Sequence, residues 1–206
     1  MRFAELDAVT LDAHGTLVEL ADPVPELDHG LRERGIARSG REIARAFATE
    51  VEYYRDHAHE GRDAKTLARL RLECTEVFLD ALEAELAPEA FVDAFVGSIR
   101  FEALPGTQRS LRTLRQRGLA LAVVSNWDVG LQAHLDEAAL GGLTVVTSAE
   151  AGAPKPAPAA FELAIERLGV RPDRTLHIGD SDADEEGARA AGLRFAPAPL
   201  ATALGA

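Results

Sequence analysis

Ala8-Val9-Thr10-Leu11-Asp12-Ala13-His14-Gly15-Thr16-Leu17 is the stretch that decides the fold of this chain. Residues 8–12 form a short apolar run that ends in an acid, and Gly15 breaks the chain three residues later. A run of that length bounded by a turn signal reads as a buried strand with a carboxylate at its end. Further runs occur at residues 119–124 (LALAVV), ending at Ser125-Asn126, and at 143–146 (LTVV). Another at 175–178 (TLHI) ends at Gly179-Asp180, and a weak one at 193–196 is closed by Pro197.

Helical patterns lie between these strands. One covers 107–117, with Thr107 as N-cap and Gly118 as stop; others cover 128–140, 157–168 and 184–191, each with glycine after it. Strands alternating with helices at this spacing predict an α/β fold, a Rossmann-like three-layer parallel sheet of about five strands with helices on both faces. One stretch breaks the alternation. From about residue 20 to residue 97 no strand is evident, and Ser39-Gly40-Arg41-Glu42 is a capping box opening a helix to about residue 59. A second helix is expected over 64–86, and Pro88 opens a third. The predicted organisation is a core of residues 1–18 and 99–206 with a mostly helical insertion, residues 19–98, placed after the first strand. Ala103-Leu104-Pro105-Gly106 reads as the return into the core.

Composition narrows the function. The 206 residues carry a formal net charge of −12, which repels nucleic acid and anionic lipid at long range. The first residues, Met1-Arg2-Phe3-Ala4-Glu5-Leu6-Asp7, place acids where a signal peptide needs an apolar run. No apolar stretch approaches the roughly 20 residues of a membrane span. A single cysteine, Cys74, excludes an intramolecular disulfide and reads as a small core residue. The expectation is a cytoplasmic protein with no nucleic-acid or membrane partner, monomeric or homodimeric.

In open α/β sheets, ligands bind outside the carboxyl ends of the strands. Asp12, Ser125-Asn126, Lys155, and Asp180 with Asp184 all fall at such ends or in the loops just after them. These residues carry a resemblance to the haloacid dehalogenase-like hydrolase superfamily, in the subfamily with a helical cap inserted after strand one. The motifs, in order, are Leu11-Asp12-Ala13-His14-Gly15-Thr16-Leu17, Val124-Ser125-Asn126, Gly152-Ala153-Pro154-Lys155-Pro156, and Ile178-Gly179-Asp180-Ser181-Asp182-Ala183-Asp184 running on to Gly192. Each is short, but in this order and on these elements the set is specific, and it spans nearly the whole chain.

The resemblance implies Asp12 as a covalent nucleophile and Lys155 as a fixed cation that also contacts substrate. It implies Thr16, Ser125 and Asn126 as substrate-binding groups. It further implies Mg²⁺ held by Asp12, Asp180, the backbone carbonyl of His14, and Asp184 directly or through water. Mg²⁺ is hard, prefers oxygen ligands and keeps several waters, which suits this set. The expected activity is hydrolysis of a small phosphorylated metabolite, a phosphate ester or phosphoanhydride, through an aspartyl phosphate. The cap is expected to open and close over the site and set substrate choice.

His14 departs from the family's phosphatases, which usually carry a second Asp two residues after the nucleophile. Several readings are open. His14 serves as the acid/base, work that an imidazole with an ordinary pKa near 6.5 can do; or the substrate has a leaving group that needs no strong acid; or the site is catalytically weak and binds a phosphate ligand or partner. A further reading is 2-haloacid dehalogenation without metal, since dehalogenases of the superfamily also lack the second Asp. Against it, Asp180 beside Asp12 sets like charges together, a penalty that a bound cation reverses.

Other polar residues take ordinary readings. His57 and His59, two apart on one helix, point to different faces. Tyr53, Tyr54 and Arg55 read as cap core and surface, His177 as a satisfied core histidine, and Trp127 as packing at the mouth of the site. Asp182, Glu185 and Glu186 read as a solvated helix start, where acids suit the dipole.

Overall fold

The computed structural model describes residues 5–200; residues 1–4 and 201–206, and with them part of the N-terminal reading, lie outside the described residues. The first strand, β1 (Ala8–Leu11), is buried at every position. A strand with both faces covered has no solvent side to keep polar, so its sequence is an unbroken apolar run rather than an alternation.

In chain order the strands are β1, β2 (Val18–Leu20), β3 (Phe101–Ala103), β4 (Ala120–Ser125), β5 (Thr144–Thr147), β6 (Thr175–Gly179) and β7 (Arg194–Pro197). Five of them form one sheet in the order β5-β4-β1-β6-β7. Every neighbouring pair is parallel, with Leu11 level with Val123 on one side and Ile178 on the other. The chain leaves β1 to build the sheet outward through β4 and β5, then returns to β1's other edge with β6 and β7. That reversal puts the switch point of the sheet at the carboxyl ends of β1, β4 and β6, where open α/β folds bind ligands.

Clustering of the fold separates two compact units, Met1–Glu19 with Phe101–Ala206, and Leu20–Arg100. In the first, α5 (Thr107–Gln116), α6 (Leu131–Glu137), α7 (Ser148–Ala151), α8 (Ala159–Leu168) and α9 (Asp182–Ala190) accompany the sheet. Val124, Val146, Phe161 and Ala188 are fully buried in one cluster. The second unit is helical: α1 (Val24–Glu33), α2 (Gly40–His57), α3 (Ala64–Ala81) and α4 (Val92–Ser98). Its core centres on Phe78, stacked on Phe91 with centroids 6.0 Å apart and 5.2 Å from Phe95. Cys74 is buried there. Among the described residues no helix is long and apolar enough to cross a membrane.

Several boundaries differ from the sequence reading, each for a local reason. Thr107 is not an N-cap: Gly106, at φ +86°, takes that place, and the Thr107 hydroxyl donates to the Leu17 carbonyl. The helix expected from residue 128 starts only at Leu131, because the Asp128 carboxylate accepts from the Gly130 N–H at 2.6 Å and folds those residues into a turn. The helix expected to reach residue 86 stops at Ala81; Glu83 adopts φ +50°, and Arg38 donates to the Leu82 and Glu83 carbonyls. α9 begins earlier than expected, at Asp182, because Ser181 and Asp184 form a capping box. The strands β2 and β3, which pair as a second sheet, were not anticipated; three residues are too few to show a period.

Candidate active site

Asp12 lies one residue past β1, is 5% exposed, and donates its backbone N–H to the Ile178 carbonyl at 2.9 Å. Its Oδ1 accepts from Ser125 Oγ at 3.0 Å and from Lys155 Nζ at 2.6 Å. Ser125 is the last residue of β4, so two neighbouring strand ends meet at one carboxylate oxygen. Oδ2 has no hydrogen-bond partner among the described residues.

Lys155 sits between α7 and α8 and is buried with its ammonium inward. Its donors go to Asp12 Oδ1, to Asp184 Oδ1 at 2.5 Å and to the Val124 carbonyl at 3.2 Å. An ammonium has three donors, so all are placed. Burial pulls the Lys155 pKa down, but the two carboxylates outweigh it and the pKa stands above the ordinary lysine value. Lys155 is therefore a permanent cation.

Asn126 is exposed and holds the Lys155 backbone. Its Oδ1 accepts from the Lys155 N–H at 2.6 Å and its Nδ2 donates to the Lys155 carbonyl at 3.1 Å. Besides the substrate contact expected of it, Asn126 thus clamps the backbone of Lys155. Thr16 is different. It is 2% exposed, and its hydroxyl has no partner among the described residues. A buried hydroxyl without a partner is costly, and this one is a donor that the oxygen of a bound group would satisfy.

Asp180 comes directly after β6 and is exposed. A Cβ at Gly15, which has φ +77°, would overlap the Asp180 carboxylate. The glycine is thus needed twice over, for its positive φ and for the close approach. Asp184 is on the first turn of α9 and is 1% exposed. Its Oδ2 accepts from the Ser181 N–H and hydroxyl, at 3.2 and 2.6 Å. Its Oδ1 accepts from Lys155 and from His177 Nε2 at 3.0 Å. A carboxylate offers about four acceptor positions, and all are filled. Gly179 makes room for this, since a Cβ there would collide with the Asp184 side chain.

Carboxylate oxygens of Asp12, Asp180 and Asp184 lie within 4.8 Å of one another. Burial raises the Asp184 pKa, but the His177 hydrogen bond and the Lys155 charge overcome it and hold the carboxyl well below its usual range. The like-charge penalty falls on Asp180: burial, then the charges of Asp12 and Asp184, push its pKa up, partly countered by His14. Three carboxylates against one ammonium leave two negative charges uncompensated.

His14 is exposed, with its ring edge-on to Phe101 at 6.4 Å. Trp127, 6% exposed, packs T-shaped against the same Phe101 at 4.8 Å. Of the other acids on α9, Asp182 and Glu186 are not fully buried and Glu185 pairs with Arg189. His57 stacks on Tyr53 and bonds its carbonyl, and it belongs to no metal-like cluster among the described residues. His177 is fully buried with both ring nitrogens bonded, a satisfied core histidine as expected, and one of its partners is Asp184. Thr10 and His177 are polar residues in the middle of two largely apolar central strands.

Comparison with known proteins places this geometry. A family model described as haloacid dehalogenase-like hydrolase matches residues 6–192. The haloacid dehalogenase-like hydrolase domain-containing protein 3 of Bos taurus is 38% identical over 135 residues, 59% of this chain and 51% of that protein. The phosphoglycolate phosphatase of Pseudomonas putida is 30% identical over 196 residues, 90% of this chain and 66% of that one. The matched region therefore spans about half to two thirds of these two relatives. A structure of L-2-haloacid dehalogenase from Xanthobacter autotrophicus, with chloropropionic acid covalently bound, is 28% identical with TM-score 0.68, covering 93% of this chain and 77% of that one. With the family model covering residues 6–192, this chain belongs to the haloacid dehalogenase-like hydrolases and is a hydrolase of that family.

Proposed function

We propose that this hydrolase is a phosphatase, acting on a small phosphate ester or phosphoanhydride through Asp12, with Mg²⁺ at the carboxylate cluster. The observation that carries the reading is the uncompensated charge. Asp12, Asp180 and Asp184 together exceed the single Lys155 cation by two. An anionic phosphoryl group entering that field would be repelled, and a divalent cation removes the excess. The donor set fits Mg²⁺: it is all oxygen, and the exposed Asp180 carboxylate is left without side-chain donors, while Asp12 Oδ2 is kept for the attack. The family resemblance adds the backbone carbonyl of His14. Asp184 belongs to the cluster, but a direct metal bond would displace one of its four donors, so its part is to hold Lys155. When bound, the metal supplies charge neutralisation and orients the phosphoryl oxygens.

The chain's own residues carry out two displacements. Asp12 Oδ2 attacks phosphorus, and the bond from phosphorus to the leaving oxygen breaks. That oxygen keeps the electron pair and takes a proton from the His14 imidazolium. Lys155 supplies fixed positive charge and the Thr16 hydroxyl a donor for the transferred group, while Ser125 keeps Asp12 Oδ1 bound. Water next attacks the phosphorus of the aspartyl phosphate and gives a proton to His14; the Asp12–phosphorus bond breaks and inorganic phosphate leaves. The name of the Pseudomonas putida relative makes phosphoglycolate a first substrate to try.

The likeness to a dehalogenase holding covalent chloropropionate supports a second reading: attack of Asp12 on carbon with loss of halide and no metal. Purified protein assayed on p-nitrophenyl phosphate and phosphoglycolate, with Mg²⁺ or with EDTA, and on 2-chloropropionate for halide release, separates the two. The expected result is Mg²⁺-dependent phosphate release, abolished in Asp12→Asn with the fold retained. Metal-independent halide release would replace the phosphatase reading, and silence on all substrates would leave a binding protein on the same scaffold.

A further inference from the structure

Thr10 and His177 face each other in register across β1 and β6, and neither has any exposed surface. Thr10 Oγ1 lies 2.9 Å from His177 Nδ1, and His177 Nε2 lies 3.0 Å from Asp184 Oδ1. The Phe161 edge closes the ring's flank at 4.8 Å. An ionised Asp184 can only accept, so the ring nitrogen that faces it, Nε2, carries the N–H and donates. Nδ1 faces the Thr10 hydroxyl as its hydrogen-bond partner. The contacts run along a continuous chain: Thr10 with His177, His177 to Asp184, Lys155 to both Asp184 and Asp12, and Ser125 to Asp12.

This chain ends on only one oxygen of the nucleophile. Asp12 Oδ1 takes both donors, and Oδ2 takes none among the described residues. We propose that His177 is a positioning residue for the reaction: by donating to Asp184 Oδ1 it fixes the carboxylate that shares Lys155, and so holds Asp12 with Oδ1 bound and Oδ2 free to attack. Without that N–H, Asp184 Oδ1 keeps a single donor and draws the Lys155 ammonium towards itself. The contact from Lys155 to Asp12 slackens, and the carboxyl group is free to turn. The loss falls on the orientation of the nucleophile and not on substrate contacts, so it belongs in kcat.

The kinetic test rests on the phosphatase reading and uses p-nitrophenyl phosphate with Mg²⁺. His177→Leu removes the donor, His177→Asn is too short to reach Asp184, and His177→Gln places an amide N–H near the position of Nε2. Leu and Asn are expected to lower kcat about 10–100-fold, with Gln and every KM within about threefold of the parent. A parent-like kcat in Leu or Asn overturns the proposal, as does a Gln variant no better than Asn. If Leu fails to fold, the Gln and Asn pair decides. A second readout needs no turnover: two-bond ¹⁵N–¹H correlation of the parent at pH 7 should show one histidine as the Nε2–H tautomer, its signals absent in His177→Gln. A ring at that residue whose Nε2 carries no proton overturns the proposal, whereas an imidazolium, which still donates from Nε2, supports it. A parent that releases no phosphate sinks the phosphatase reading alone, and the tautomer then judges the positioning chain.

Discussion

Replacing Glu50 by glutamine should make the helical unit more stable at alkaline pH and leave it nearly unchanged in acid. Glu50 is 3% exposed on α2, in the layer that packs on α3. Burial pushes its pKa from the ordinary 4.5 up to about 7, and the Cys74 thiol, donating from α3, only partly restrains the rise. The carboxyl is held protonated where the unfolded chain would ionise it. A raised carboxyl pKa means that the folded state binds the extra proton, so the contribution is fully present below about pH 4.5 and is lost as pH rises through about 7. The gap corresponds to about 3 kcal/mol at roughly 1.4 kcal/mol per pH unit. Glutamine keeps the size and an acceptor for Cys74 but has no proton to lose. Urea unfolding of both proteins, monitored by circular dichroism at pH 5, 7 and 9, gives the comparison. The stability difference should be small at pH 5 and favour Glu50→Gln by about 3 kcal/mol at pH 9. A difference flat across that range would refute the reasoning, because it would mean that Glu50 ionises in the fold as readily as in the unfolded chain.

Two further outcomes test the core and the carboxylate cluster. A Cβ at Gly187 on α9 would meet the buried Phe161 ring at 2.5 Å and the Pro156 carbonyl at 3.0 Å, whereas at Gly97 on α4 nothing lies within 4 Å. Gly187→Ala should therefore lose about 2 kcal/mol and Gly97→Ala gain about 0.5–1 kcal/mol in the same unfolding assay, and a stabilised Gly187→Ala would show the packing argument to be wrong. On the magnesium reading, millimolar Mg²⁺ should raise the melting temperature of the parent protein, since a ligand that binds only the folded state stabilises it. The shift should disappear in Asp180→Asn, and an equal shift in both proteins would show that the ion binds elsewhere.

Much of this protein was legible along the chain. The central strands β1, β4 and β6 stood out because a strand covered on both faces is apolar at consecutive positions, whereas the edge strand β7, buried only at Ala196, gave a weak run; glycines marked most of the helix ends. Asp12, Ser125, Lys155, Asp180 and Asp184 could be picked out because a parallel sheet delivers the residues after its strands to one edge, whatever their separation in sequence. Short elements escaped: β2 and β3 are too brief to show a period, and the start of α6 was displaced by a side-chain turn at Asp128.

The sequence by itself determined which residue types stand at the carboxyl edge of the sheet, because that depends only on strand order and the apolar pattern that sets it. Tertiary structure alone decided who bonds whom. It turned Asn126 onto the Lys155 backbone, filled every acceptor of Asp184, left Thr16 Oγ1 and Asp12 Oδ2 without partners among the described residues, and joined His177 to the nucleophile through two side chains. Those assignments rest on differences of a few tenths of an ångström in the spacing of groups brought together from separate parts of the chain. Hydrogen bonds discriminate at that scale, and the order of residues along a chain does not encode it.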